Sequence, residues 1–171
     1  MDRNDCQNFY PGEVLLLWSN LLTRKMDPSL LARFNQSVDY YQRWHLANRN
    51  PAFVPWHTQA YANVWKLTGD PRLRDAVFTM NDWLLSVQQW HTAPCPDCRG
   101  RFYDPHHPFG PPHASSTAVY LEGLVEGLAL AQSCGESARA KRYRTAIMRG
   151  IRSLAQLTFA TAQRHVLHQS A

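Results

Sequence analysis

The sequence predicts an all-α protein of three consecutive helical hairpins. Apolar residues recur at helical spacing in successive stretches, beginning with Val14, Leu15, Leu17, Trp18, Leu21 and Leu22. Helix starts repeat, because Asp27-Pro28 returns 43 residues later as Asp70-Pro71. Helix stops repeat too, because Gly69-Asp70 returns 66 residues later as Gly135-Glu136. The excess of the second spacing over the first is one long loop.

Taken in order, Tyr10-Pro11-Gly12-Glu13 opens the first helix. Glu13 lies in its first turn, where a carboxylate suits the positive end of the dipole. The helix should end near Lys25. Asp27 caps the second, with Pro28 at the first helical position. That helix runs through Leu30, Leu31, Phe34, Val38, Tyr41 and Trp44. A loop with two prolines leads to a third helix from Trp56, which Gly69 stops. Asp70-Pro71 opens a fourth, carrying Leu73, Val77, Phe78, Met80, Trp83, Leu84 and Val87. A fifth spans residues 115–133, and Gly135 ends it. A sixth begins at Glu136 and reaches about residue 162. Residues 1–162 form one domain, with hairpins at 11–46, 55–89 and 114–162 and a polar tail at 163–171.

The long loop, residues 90–114, cannot be a helix interior: six prolines and two glycines fall between Pro94 and Pro112. Its Phe102, Tyr103 and Phe109 argue for order. It reads as the floor or lip of a site, since long loops inside compact domains tend to be functional.

The chain has 171 residues, 44% of them hydrophobic, so it can bury a real core. Its formal charge is +5, and Arg139, Lys141, Arg142, Arg144, Arg149 and Arg152 crowd the sixth helix. No aromatic–basic RNA-reading motif accompanies them, so they read as a solvated face and no nucleic-acid partner is expected. No stretch has the roughly 18–20 apolar residues that a membrane span needs. The start, MDRNDCQNFYPG, lacks a signal-peptide apolar core, so the expected location is cytoplasmic. Four scattered cysteines do not make a secreted disulfide framework.

With these helix starts, with Asp82-Trp83, and with Arg99-Gly100-Arg101-Phe102-Tyr103 leading to Ala114-Ser115-Ser116-Thr117 and Tyr120-Leu121-Glu122-Gly123-Leu124, the chain resembles the α/α toroid superfamily. Its members include six-hairpin glycosidases, sugar 2-epimerases and the C-terminal domain of glucuronyl epimerases. The resemblance implies a partial (α/α) toroid, because closed rings there take about six or seven hairpins and this chain offers three. It implies a homodimer or the remainder of a longer chain to complete the ring, and a site in a central funnel. The ligand it implies is a saccharide or other small polar molecule, often a uronic acid. The histidine pair of the sugar 2-epimerases has no recognisable motif here.

Residue chemistry adds candidates. Glu122 and Asp97 offer carboxylates for general acid–base work, and His57 offers a base near neutral pH. Arg99 and Arg101 could grip a carboxylate bidentately. Ser115 and Ser116 at a helix start could meet an anion, or simply cap the helix. Trp56 and Tyr103 would form the wall, and Glu13 sits at an equivalent helix start. Trp18 and Trp65 read as core. Gly123 and Gly127 within a helix suggest close packing against a neighbour.

No cofactor is expected. A rival reading is a structural zinc held by His91, Cys95, Cys98 and one of His106, His107 or His113, although its second half would be irregularly spaced. A redox role for Cys95 and Cys98 lacks a surrounding thioredoxin-like strand pattern. The functional expectation is a carbohydrate-binding or carbohydrate-processing domain: an epimerase, lyase or hydrolase acting on an acidic sugar. The alternative is a non-catalytic helical-repeat scaffold for protein–protein interaction.

Overall fold

The computed structural model describes residues 6–107 and 114–157. Among the described residues it shows six α-helices of a turn or more and no strand. They are α1 (Tyr10–Arg24), α2 (Pro28–Ala47), α3 (Val54–Thr68), α4 (Pro71–Ser86), α5 (Ala114–Ser133) and α6 (Ser137–Gln156). None is long and apolar enough to cross a membrane.

The helices stop and start where local chemistry directs. Asp27 accepts from the backbone N–H groups of Ser29 (2.8 Å) and Leu30 (3.2 Å), relieving two donors that the helix leaves unpaired. The bond from the Ser29 hydroxyl, helped by those two backbone bonds, holds its carboxyl below the usual range. Asp70 repeats the cap on Arg72 N–H at 2.9 Å. Gly69 and Gly135 take φ of +69° and +72°, the left-handed conformation that ends a helix cheaply only in glycine.

Three boundaries differ from expectation. α3 begins at Val54, because Pro55 fits its first turn and a 3₁₀ turn, Pro51–Phe53, feeds it. Glu136 precedes α6 without capping it by side chain and turns to Arg139 instead, at 2.7 Å. α6 ends at Gln156, where the N–H of Leu157 folds back onto Leu154 and Ala155 carbonyls. The expected extension to residue 162 and the tail lie outside the described residues.

Helices α1, α3 and α5 pack side by side, with α3 in the middle. α4 packs on α3, and α6 on α5. Small residues allow the inner helices to approach closely. A Cβ added at Gly12 would lie 2.8 Å from His57 Nδ1, and one at Gly123 would lie 2.6 Å from Pro55 Cα. The close packing expected of Gly123 is therefore against α3. α2 stands further off and reaches the layer through rings: Phe34 meets Tyr61 edge-on at 6.1 Å, and His45 stacks on Phe53 at 4.7 Å. The core, with Leu15, Leu22, Phe34, Phe53, Tyr61 and Tyr143, lies between the two layers, and Trp18 and Trp65 pack against it.

The basic residues of α6 fasten it in place. Arg139 and Arg142 both reach Asp82 of α4, and Arg149 and Arg152 lie over the Trp90 ring. Lys141 and Arg144 are exposed.

Candidate functional site

Short turns join α1 to α2, α3 to α4 and α5 to α6, so the inner helices start at the end where the outer helices finish. A groove of about 670 Å³ opens at that end. Trp44 and Arg49 come from the end of α2, Trp83 from the end of α4, and Asp104, His106 and His107 from the segment before α5.

Asp104 is the fixed point of this groove. It is 6% exposed, and its carboxylate accepts from His106 N–H at 2.9 Å and from His107 Nδ1–H at 3.1 Å. A carboxylate can only accept, so this bond places a proton on Nδ1 of His107. Opposite it, the Arg49 guanidinium lies over the Trp83 ring, 5.4 Å from its centroid. Burial makes the Arg49 charge costlier and lowers its pKa. Its Nη1, and Nε1 of Trp44, are buried donors without an acceptor among the described residues. Both residues line the groove, but these two atoms are sealed beneath its surface, so they raise the cost of burial there and do not themselves face a ligand.

A smaller cleft of about 160 Å³ lies beside the groove, lined by Phe9, Ala52, Trp56, Ser115, Ser116 and Tyr120. The two are neighbours through consecutive residues, since Asn8 lines the groove and Phe9 the cleft. Burial, with the nearby Asp104 charge adding to it, pushes the Tyr120 hydroxyl up to about 12.

The expected site residues divide into three sets. Trp56, Ser115 and Ser116 come together in the small cleft. The two serines sit in the first turn of α5, which begins at Ala114, not at the cap position. Arg101 and Tyr103 pair with each other, the guanidinium 5.1 Å from the ring centroid, and Arg101 Nε also donates to Gln89 at 2.6 Å. Glu13, Asp97, Arg99 and Glu122 are exposed on α1, at the loop tip and on α5, and line none of these cavities.

His57 corrects the expectation of an accessible base. It is fully buried, its ring lies flat on Phe53 at 3.6 Å, and its Nδ1–H donates to the Phe53 carbonyl at 2.7 Å. Burial lowers its pKa to about 3, so it is neutral at ordinary pH and shut off from solvent protons. The reason is the earlier start of α3, which moves residue 57 from the helix tip into the buried layer.

The zinc set does not assemble among the described residues, where no group of three or more metal-ligating side chains occurs. His91 is exposed, His107 is turned to Asp104, and His113 lies outside the described residues. Cys95 and Cys98 do come together, with Sγ atoms 3.0 Å apart.

Asp104 was missed because it stands alone in sequence, between Tyr103 and Pro105. A signal was available in Asp104-Pro105-His106-His107, a short acid–imidazole run inside an ordered loop. The chain matches no protein-family model, no curated protein and no solved structure.

Proposed function

We propose that the groove at the inner-helix starts binds and processes an acidic saccharide, as a partial α/α toroid would. The observation that carries this reading is the meeting of Asp104–His107 with Arg49, Trp44 and Trp83 in one groove. Each part has a task. Trp44 and Trp83 offer ring faces to a sugar. The half-buried Arg49 guanidinium offers a charge-assisted bond to a uronate carboxylate. Asp104 orients His107, whose imidazole can take a proton from the carbon beside that carboxylate. Epimerisation and elimination both begin with that step. In this reading Trp56, Ser115 and Ser116 extend the surface for a further sugar unit.

The test is titration calorimetry with uronic-acid oligosaccharides and matched neutral ones. Binding of the acidic set, lost in Arg49→Ala, is the expected result. Equal binding of both sets, or of neither, would remove the proposal. Solvent deuterium incorporation at the carbon next to the carboxylate, lost in His107→Ala, then separates catalysis from binding alone.

A second reading, a helical-repeat scaffold, rests on a different observation. Tyr10, Val14, Leu17 and Leu21 form an exposed apolar stripe along α1, at 45–57% exposure, on the open edge of the inner layer. Spaced 4, 3 and 4 residues apart, the stripe complements itself in an antiparallel pairing, Tyr10 against Leu21 and Val14 against Leu17. A second copy of the chain is the partner this favours. Sedimentation of the protein and of Val14→Glu decides it, a wild-type dimer and a variant monomer being the expected pair.

A further inference from the structure

Residues between Val87 and Tyr103 form a small hairpin that its sequence does not announce. Gln89 N–H donates to Arg101 O at 2.9 Å, Gly100 N–H to Gln89 O at 2.6 Å, and Tyr103 N–H to Val87 O at 2.8 Å. The Gln88 side chain ties this ladder to α6, donating to Gly100 O at 3.0 Å and Ala146 O at 2.8 Å. Gly100, at φ +97°, lies so close to the Arg149 carbonyl that no Cβ would fit. At the tip, Cys95-Pro96-Asp97-Cys98 makes a 3₁₀ turn, Pro96–Cys98, with the Cys98 N–H donating to Cys95 O at 3.1 Å. That turn brings the two sulfurs to 3.0 Å, with Cys95 exposed and Cys98 half-buried. Neither is bonded to another cysteine.

We propose that Cys95 and Cys98 are a redox-active dithiol that exchanges with low-molecular-weight disulfides, and that their oxidation staples the hairpin leading into Asp104. The geometry meets the requirements of the reaction. The sulfurs are already neighbours, while a disulfide bond is about 2.05 Å long. The more exposed sulfur is the one whose thiolate is favoured: the hydrogen bond from the Cys98 thiol holds the Cys95 thiol below its usual range and raises that of Cys98. The Cys95 thiolate attacks one sulfur of a small disulfide RS–SR, forming a mixed disulfide and releasing RS⁻. The Cys98 thiol gives its proton to solvent, and its sulfur attacks Cys95 Sγ, expelling the second RS⁻. Both thiolates take up protons, so one dithiol and one RS–SR become one intrachain disulfide and two RSH. The two electrons pass to the small disulfide.

The staple would have a consequence one strand away. Arg101, Phe102 and Tyr103 run directly from the tip to Asp104, whose carboxylate orients His106 and His107. Closing the tip shortens the free chain between the two hairpin arms, so the arm carrying Asp104 loses freedom. This inference stands on the hairpin alone and holds whatever ligand the groove takes.

The experiment is incubation of the full chain with oxidised glutathione, followed by mass spectrometry of tryptic peptides and hydrogen exchange of the intact protein. The expected product lacks two hydrogens within residues 95–98, while Cys98→Ser accumulates one glutathione adduct on Cys95. Amides of Gln89, Gly100, Arg101 and Tyr103 should exchange several-fold more slowly after oxidation. A persistent glutathione adduct on the wild-type pair, or faster reaction at Cys6 or Cys134, would overturn the dithiol. Unchanged exchange at those amides in the oxidised protein would overturn the staple. Both cysteines sit in a surface turn, and circular dichroism checks that the variant keeps its helices.

Discussion

Asp82 on α4 accepts from Arg139 Nε on α6 at 3.2 Å, bridging two successive outer helices. Asp39, its counterpart 43 residues earlier on α2, makes the same reach to Arg72 on α4, at 3.1 Å. The repeat visible in the sequence is thus a repeat of contacts: each outer helix presents an aspartate to an arginine in the first turn of the next. Asp82 is the better shielded of the two and also pairs with Arg142.

Asp82→Ala should therefore cost more than Asp39→Ala. The expected losses are about 1 kcal/mol for Asp82 and a few tenths for Asp39, whose pair is half exposed. Urea unfolding of both variants measures this, and a double-mutant cycle with Arg139→Ala isolates the pair.

Gly123→Ala should destabilise by about 1–3 kcal/mol, despite the better helix propensity of alanine, because its Cβ would collide with the Pro55 backbone. Gly69→Ala meets no neighbour, and its cost is confined to the strained left-handed backbone, about 1 kcal/mol. Thermal melts of the two variants distinguish packing from strain.

Stability should fall as pH drops from 7.5 to 5. His45 and His57 are buried, and burial lowers each to about 3, with the Arg49 charge adding to the effect at His45. Their unfolded value is about 6.5. Above that value neither state binds the proton, so the stability is fully present. Below it the unfolded chain binds protons that the folded one refuses, and stability is lost until the folded value near 3 is reached. Each histidine contributes a slope of up to about 1.4 kcal/mol per pH unit in that window. His45→Phe keeps a ring on Phe53 and should show a flatter profile in urea titrations at pH 7.5, 6 and 5.

Trp83→Ala should weaken binding of a uronic-acid oligosaccharide about tenfold, or ~1.4 kcal/mol, through loss of a ring face and release of Arg49 from its perch. Trp65→Ala, a core substitution away from the groove, should lower melting temperature and leave affinity unchanged in the folded protein. Calorimetry on both variants reads the difference.

Much of the fold was legible because its determinants are local. Capping aspartates, prolines at first positions, terminal glycines and apolar spacing act within a few residues, and all six helices follow from them. The hairpin at Gln88–Phe102 escaped because long-range pairing and its anchoring on Ala146 and Arg149 create it. His57 was misjudged for a related reason: the helix starts two residues earlier than expected, at Val54, so residue 57 lies inside it on a face that other segments bury, not at an open tip.

By itself, the sequence determined where this chain is helical and how its helices repeat. The energies involved are those of caps, turns and side-chain period, and they need no distant partner. Only the tertiary structure decided which polar groups face a groove and which are sealed in. Arg49, Trp83 and Asp104 meet because the ends of α2 and α4 and the segment before α5 come to one end of the layered helices. Burial, the quantity that makes a histidine inert or leaves a guanidinium N–H unpaired, belongs to the assembled layers and not to any single segment.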